Sequence, residues 1–93
     1  MTRDEIITRL LVIFAERFEI DNPGLDDNLR ETYEFDSIDA IELLREIEIM
    51  LNSELTREEK KAAMDISTIN DIVDYILILA ATRAEAPIES IDL

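Results

Sequence analysis

Apolar side chains three and four residues apart constrain this chain more than any other feature. Ile6, Ile7, Leu10, Leu11, Phe14 and Phe18 recur at those steps, which is the period of one helix face and not of a strand. Thr2-Arg3-Asp4-Glu5 ahead of them has capping-box spacing, so a first helix is expected from there to about Glu19. Asp21-Asn22-Pro23-Gly24 stops it. Leu43, Ile47 and Leu51 make a second stripe, with Asp36 or Ser37 as the N-cap and Asn52-Ser53 as the end. Thr56-Arg57-Glu58-Glu59 repeats the capping-box pattern and predicts a short helix over roughly 57–63. Asp65-Ile66-Ser67-Thr68 breaks the chain and offers a new cap. Ile69, Ile72, Val73, Ile76, Leu77 and Ala80 then share a face on a last helix expected to end near Arg83.

Residues 20–36 carry no clear period. Ile20, Leu25, Leu29, Tyr33 and Phe35 are spaced through them among acids, as anchors that pin a long connection to the core. One Gly and two Pro in 93 residues leave little turn chemistry for a multi-stranded sheet. The expected class is all-α: a small irregular four-helix bundle of three longer helices and one short helix, with a long loop after helix one. Its domain spans residues 1–83, and residues 84–93, which contain Pro87, read as a flexible tail. Ile88, Ile91 and Leu93 would let that tail dock.

Charge narrows the partners. Twenty-three acids against nine bases give a net charge of −14, the wrong sign for nucleic acid or for an anionic membrane surface. A basic patch on a protein partner is the natural counterpart. There is no Cys and no His, so a thiolate nucleophile, the usual general base and the commonest metal ligand are missing. No spacing isolates an acid/base pair, and the acidic stretch Asp21–Asp27 has Pro23 where a calcium loop wants a ligand. An enzyme and a metal centre are therefore not expected. The longest uncharged run, Tyr75–Thr82, is far short of the roughly 20 residues of a membrane-spanning helix. A soluble, cytoplasmic monomer is the expectation.

Asp36-Ser37-Ile38-Asp39, continued by Glu42-Leu43, places a serine hydroxyl at the mouth of the second helix. Helix N-termini offer unpaired N–H groups and the positive end of the macrodipole, a favourable place for an esterified phosphate. The segment resembles the Asp-Ser-Leu-Asp of acyl carrier proteins, and Asp74-Tyr75-Ile76 resembles the Asp-Tyr-Ile in the last helix of many members. The resemblance covers roughly residues 4–80, in element order as well as local sequence.

It implies that Ser37 bears a 4'-phosphopantetheine arm taken from coenzyme A by a phosphopantetheinyl transferase. Acyl cargo would ride on that arm as a thioester, presented to the enzymes of fatty acid, polyketide or related biosynthesis. It also implies a recognition surface on the second helix, with Asp36, Asp39, Glu42, Glu46 and Glu48 meeting basic docking patches, and Ile38 and Ile41 exposed among them. Ile47, Leu51, Ala62, Ile66, Ile69 and Ile72 are candidates to line an acyl cleft. Plain structure explains much of the same pattern: Ser37 as an N-cap, the isoleucines as core, the acids as a solvated face. Two departures stand out. Tyr33-Glu34 replaces the Leu-Gly of many members, and Arg45 sits where an apolar residue is common. Both point to a specialised carrier. The alternative is a helical interaction module that keeps the fold without the arm.

Overall fold

The computed structural model describes the backbone of residues 1–91 and the side chains of residues 1–84. Its elements run α1 (Arg3–Arg17), α2 (Leu29–Tyr33), α3 (Ser37–Leu51), α4 (Arg57–Ala62), a 3-10 turn (Ala63–Asp65) and α5 (Ile69–Ile91). The all-helical class holds, and α1, α3, α4 and α5 are the four expected helices. Capping boxes start α1 at Thr2 and α4 at Thr56, where the sequence places them.

The core is aliphatic with one aromatic corner. Ile6, Leu10 and Phe14 of α1 meet Leu43 and Ile47 of α3 and Ile69, Ile72, Val73 and Ile76 of α5, all buried. The three phenylalanines cluster: ring centroids lie 5.3 Å apart for Phe14–Phe18, 5.4 Å for Phe14–Phe35 and 5.2 Å for Phe18–Phe35. That range is the one in which tilted and edge-on aromatic pairs attract.

The long connection is pinned as its anchors predict. Ile20, Leu29 and Phe35 are buried, and Leu25 and Tyr33 pack partly against the core. Backbone bonds tie it to the start of α5: Leu29 N donates to Ser67 O at 2.9 Å, and Asn70 N donates to Leu25 O at 3.0 Å. One thing is added. Five residues of it form α2, capped by the Asn28 side chain accepting from Glu31 N at 2.9 Å. A helix this short presents barely one turn, so apolar periodicity cannot reveal it.

The last helix is longer than expected. It passes Arg83 and continues to Ile91. Ala84, Glu85 and Ala86 are strong helix formers, which offsets part of the cost of a proline at position 87, a residue that lacks the N–H for the carbonyl of residue 83 and is disfavoured inside a helix. The expected docking of Ile88, Ile91 and Leu93 lies outside the residues whose side chains are described. No helix among the described residues is long and apolar enough to cross a membrane.

Candidate functional site

Phe35 fixes the approach to the serine. Its ring is buried against Phe14 and Phe18, and its N–H donates to Leu29 O at 3.2 Å. The chain is therefore immobilised one residue before the cap of α3. Asp36 then sits extended, at φ −101° and ψ −172°, and its Oδ1 accepts from Ile38 N and Asp39 N, each at 3.0 Å. Asp39 Oδ2 reaches back to accept from Asp36 N at 3.1 Å.

Asp36 and Ser37 were equal candidates for this cap by residue type, and the geometry gives it to Asp36. Ser37 becomes the first helical residue. It is exposed, and among the described residues its hydroxyl makes no hydrogen bond. The cap also changes the electrostatics expected there. Two of the helix's open donors are already bound to a carboxylate, and Asp36 and Asp39 lie within two residues of Ser37. An anion on Ser37 gains the usual roughly 0.3–1 kcal/mol from the helix end. A carboxylate close by would offset a similar amount, about 1 kcal/mol across water at about 4 Å. The helix mouth exposes the serine and offers little grip to an anion there.

Just before it, Glu34 ends α2 in the left-handed conformation, φ 57° and ψ 32°, with its N–H donating to Arg30 O at 3.1 Å. Glycine takes this conformation freely and a residue with a Cβ does not. Glu34 therefore holds this turn at an energetic cost.

α3 turns an apolar face outward. Ile38 is 74% exposed and Ile41 57%, followed by exposed Glu42 and Arg45 and by Ile49 at 72%. Their spacing puts them along one side of the helix. Sequence reasoning missed Ile49, although it continues the four-residue step from Arg45. Arg45 has no ion-pair partner among the described residues.

The acids divide. Glu46 is only 18% exposed at its side chain and faces Arg17 Nε at 3.7 Å. Glu48 Oε2 accepts from Leu55 N at 2.8 Å. Both are turned to internal work, so the outward acidic surface narrows to Asp36, Asp39 and Glu42.

The cleft candidates do not gather in an open cavity. Ile47, Ile69 and Ile72 are completely buried in the core, Leu51 and Ile66 are half-buried, and Ala62 is exposed. Above them, α4 and the 3-10 turn contribute no buried residue. A polar clasp holds this segment down. The Arg83 guanidinium reaches both Glu59 carboxylate oxygens at 2.9 Å, Ser53 Oγ at 2.9 Å and Glu54 O at 2.8 Å. The Tyr75 hydroxyl donates to Glu59 O at 2.6 Å. Arg83 lowers the Glu59 carboxyl from 4.5 to about 2. Burial pushes the Tyr75 phenol up.

Among the described residues no three carboxylates converge as metal ligands. The Ser37 hydroxyl is exposed, stands at a helix start whose backbone is fixed by the Asp36–Asp39 box, and has its hydrogen-bonding capacity unspent. It fits a prosthetic group joined through an ester.

Comparison with known proteins bears on the same residues. The family described as "Phosphopantetheine attachment site" matches residues 8–76. The acyl carrier protein of Rubrobacter xylanophilus is 34% identical over 79 residues, 83% of this chain and 94% of the relative. That of Lactobacillus johnsonii is 31% identical over 78 residues, 82% and 94% of the two chains. Acyl carrier protein 2 of Ralstonia nicotianae is 32% identical over 83 residues, 87% and 99% respectively.

Proposed function

The chain belongs to the acyl carrier protein family, and from that premise we propose that Ser37 is where its covalent 4'-phosphopantetheine is attached. Members of the family carry acyl groups and do not catalyse their turnover, and this chain is an acyl carrier. The observation that carries the assignment of Ser37 is that Asp36 performs the capping. A serine needed as an N-cap would have its oxygen committed to backbone donors. This one is exposed with its hydroxyl unengaged. When bound, the group supplies a terminal thiol that holds the cargo as a thioester.

The chain's own residues supply position and recognition. Buried Phe35 and the Asp36–Asp39 box set where the hydroxyl stands. With no His in the chain, removal of its proton falls to the transferase. The outward face Ile38–Ile41–Glu42–Arg45, extended by Ile49, reads as the surface that partner enzymes bind: apolar contacts at its centre, carboxylates near the serine for a basic patch. Arg45 selects partners that place a carboxylate, not a cation, opposite it. That requirement, with Glu34 in the preceding turn, supports a specialised carrier in fatty acid, polyketide or related biosynthesis. Cargo would reach Ile47, Ile69 and Ile72 beneath α4, which contributes no buried residue to the core.

Incubation of the unmodified protein with coenzyme A, Mg²⁺ and a broad-specificity phosphopantetheinyl transferase tests the assignment by intact mass. The expected result is one added phosphopantetheine, absent from Ser37→Ala. A gain that persists in Ser37→Ala moves the site elsewhere. No gain in either protein with several transferases leaves an interaction module without the arm.

A further inference from the structure

The chain's cations are unevenly placed. Arg57, Lys60 and Lys61 are three of its nine bases and include both of its lysines. On α4 their spacing is i, i+3 and i+4, so the three cations lie along one face, and Met64 follows in the 3-10 turn. Together they line a shallow depression of about 390 Å³. All three cations are exposed, none is in an ion pair among the described residues, and Met64 is 83% exposed.

Folding does not account for this arrangement. Lys60 and Lys61 in the last turn of α4 suit the helix dipole, but Arg57 occupies the first position, where a cation is unfavourable. Like charges three and four residues apart on a helix also repel. Of the neighbouring carboxylates, Glu59 is held by Arg83, and exposed Glu58 and Asp65 form no ion pair with the three cations among the described residues. A large apolar side chain left in water amid unpaired cations is the pattern of a contact patch.

We propose that Arg57, Lys60, Lys61 and Met64 form a second docking surface, which binds an acidic segment of a partner protein bearing a large apolar residue. Charge complementarity selects that occupant: the patch is a positive island on a chain of net charge −14 and is opposite in sign to the carboxylates around Ser37. A partner engaging both surfaces must carry a basic and an acidic patch at a set separation, which fixes the orientation in which it docks. The proposal stands independently of the arm on Ser37.

Titration of the isotope-labelled protein with a synthetic peptide of glutamate and leucine, followed by amide NMR, tests it. A peptide of lysine and leucine serves as the counterpart. The glutamate peptide is expected to shift amides of residues 57–65, and the lysine peptide those around Ser37 and Glu42. Combining Arg57→Gln, Lys60→Gln and Lys61→Gln should weaken glutamate-peptide binding about tenfold or more, while the rest of the spectrum shows the fold intact. Met64→Ser should weaken it separately at unchanged charge. Equal binding by the charge variant overturns the proposal, and so does the absence of shifts at 57–65. Two further results also overturn it: the same shifts on raising protein concentration alone, which means a second copy, or with inorganic phosphate alone, which means a small-anion site.

Discussion

At the start of α3 the cap falls to Asp36, and the neighbouring Ser37 hydroxyl is left unengaged. Ser37→Ala should leave thermal stability within roughly 0.5 kcal/mol of the parent, because the hydroxyl holds nothing. Asp36→Ala should cost about 1 kcal/mol by removing the cap from two donors. Chemical denaturation of both variants checks the pair, and a large loss in Ser37→Ala would contradict the assignment of the cap. Two positions upstream, Glu34→Gly should stabilise the protein by roughly 0.5–1 kcal/mol, since glycine adopts a φ of 57° without the Cβ penalty. The same measurement decides it. Residue type made the serine legible but could not separate it from Asp36 as the cap. Both are good N-caps, and only the backbone at the junction decides which side chain turns onto the helix.

Among the elements, α1, α3 and α5 were readable because each buries a stripe several turns long, and α4 because its capping box is intact. α2 was not readable, since one turn carries no period. The inward turn of Glu46 and Glu48 was also hidden: it depends on where Arg17 and the Leu55 N–H arrive from other elements. The clasp between α4 and α5 belongs to this scale. Arg83 holds the Glu59 carboxyl at about 2, against an ordinary 4.5. A depressed carboxyl stabilises the fold fully above its unfolded value and loses that contribution as pH falls through the folded one. Glu59→Gln should therefore cost roughly 1–2 kcal/mol at neutral pH. The difference from the parent should shrink from about pH 4.5 down to about 2. Melting both proteins across that range tests the clasp, and a difference independent of pH would count against it.

The whole molecule carries a charge of −14 on a single small core. Self-repulsion of that size destabilises the compact state and is screened by salt. Raising sodium chloride from low to moderate concentration should therefore raise the thermal midpoint, and an unchanged midpoint would show that the acids are too well dispersed to matter. Sequence predicted the charge exactly in sign and amount, but its segregation into a carboxylate rim at Ser37 and a cationic patch on α4 needed the fold. The Asp36–Asp39 box has one more consequence. It closes the first turn of α3 without help from the neighbouring Ser37 oxygen, so under the proposed attachment the scaffold would have the same reason to be folded with that oxygen bare, modified or loaded. Such a protein cannot announce its state through its shape at this end. Enzymes that must tell a full carrier from an empty one have to interrogate the cargo itself.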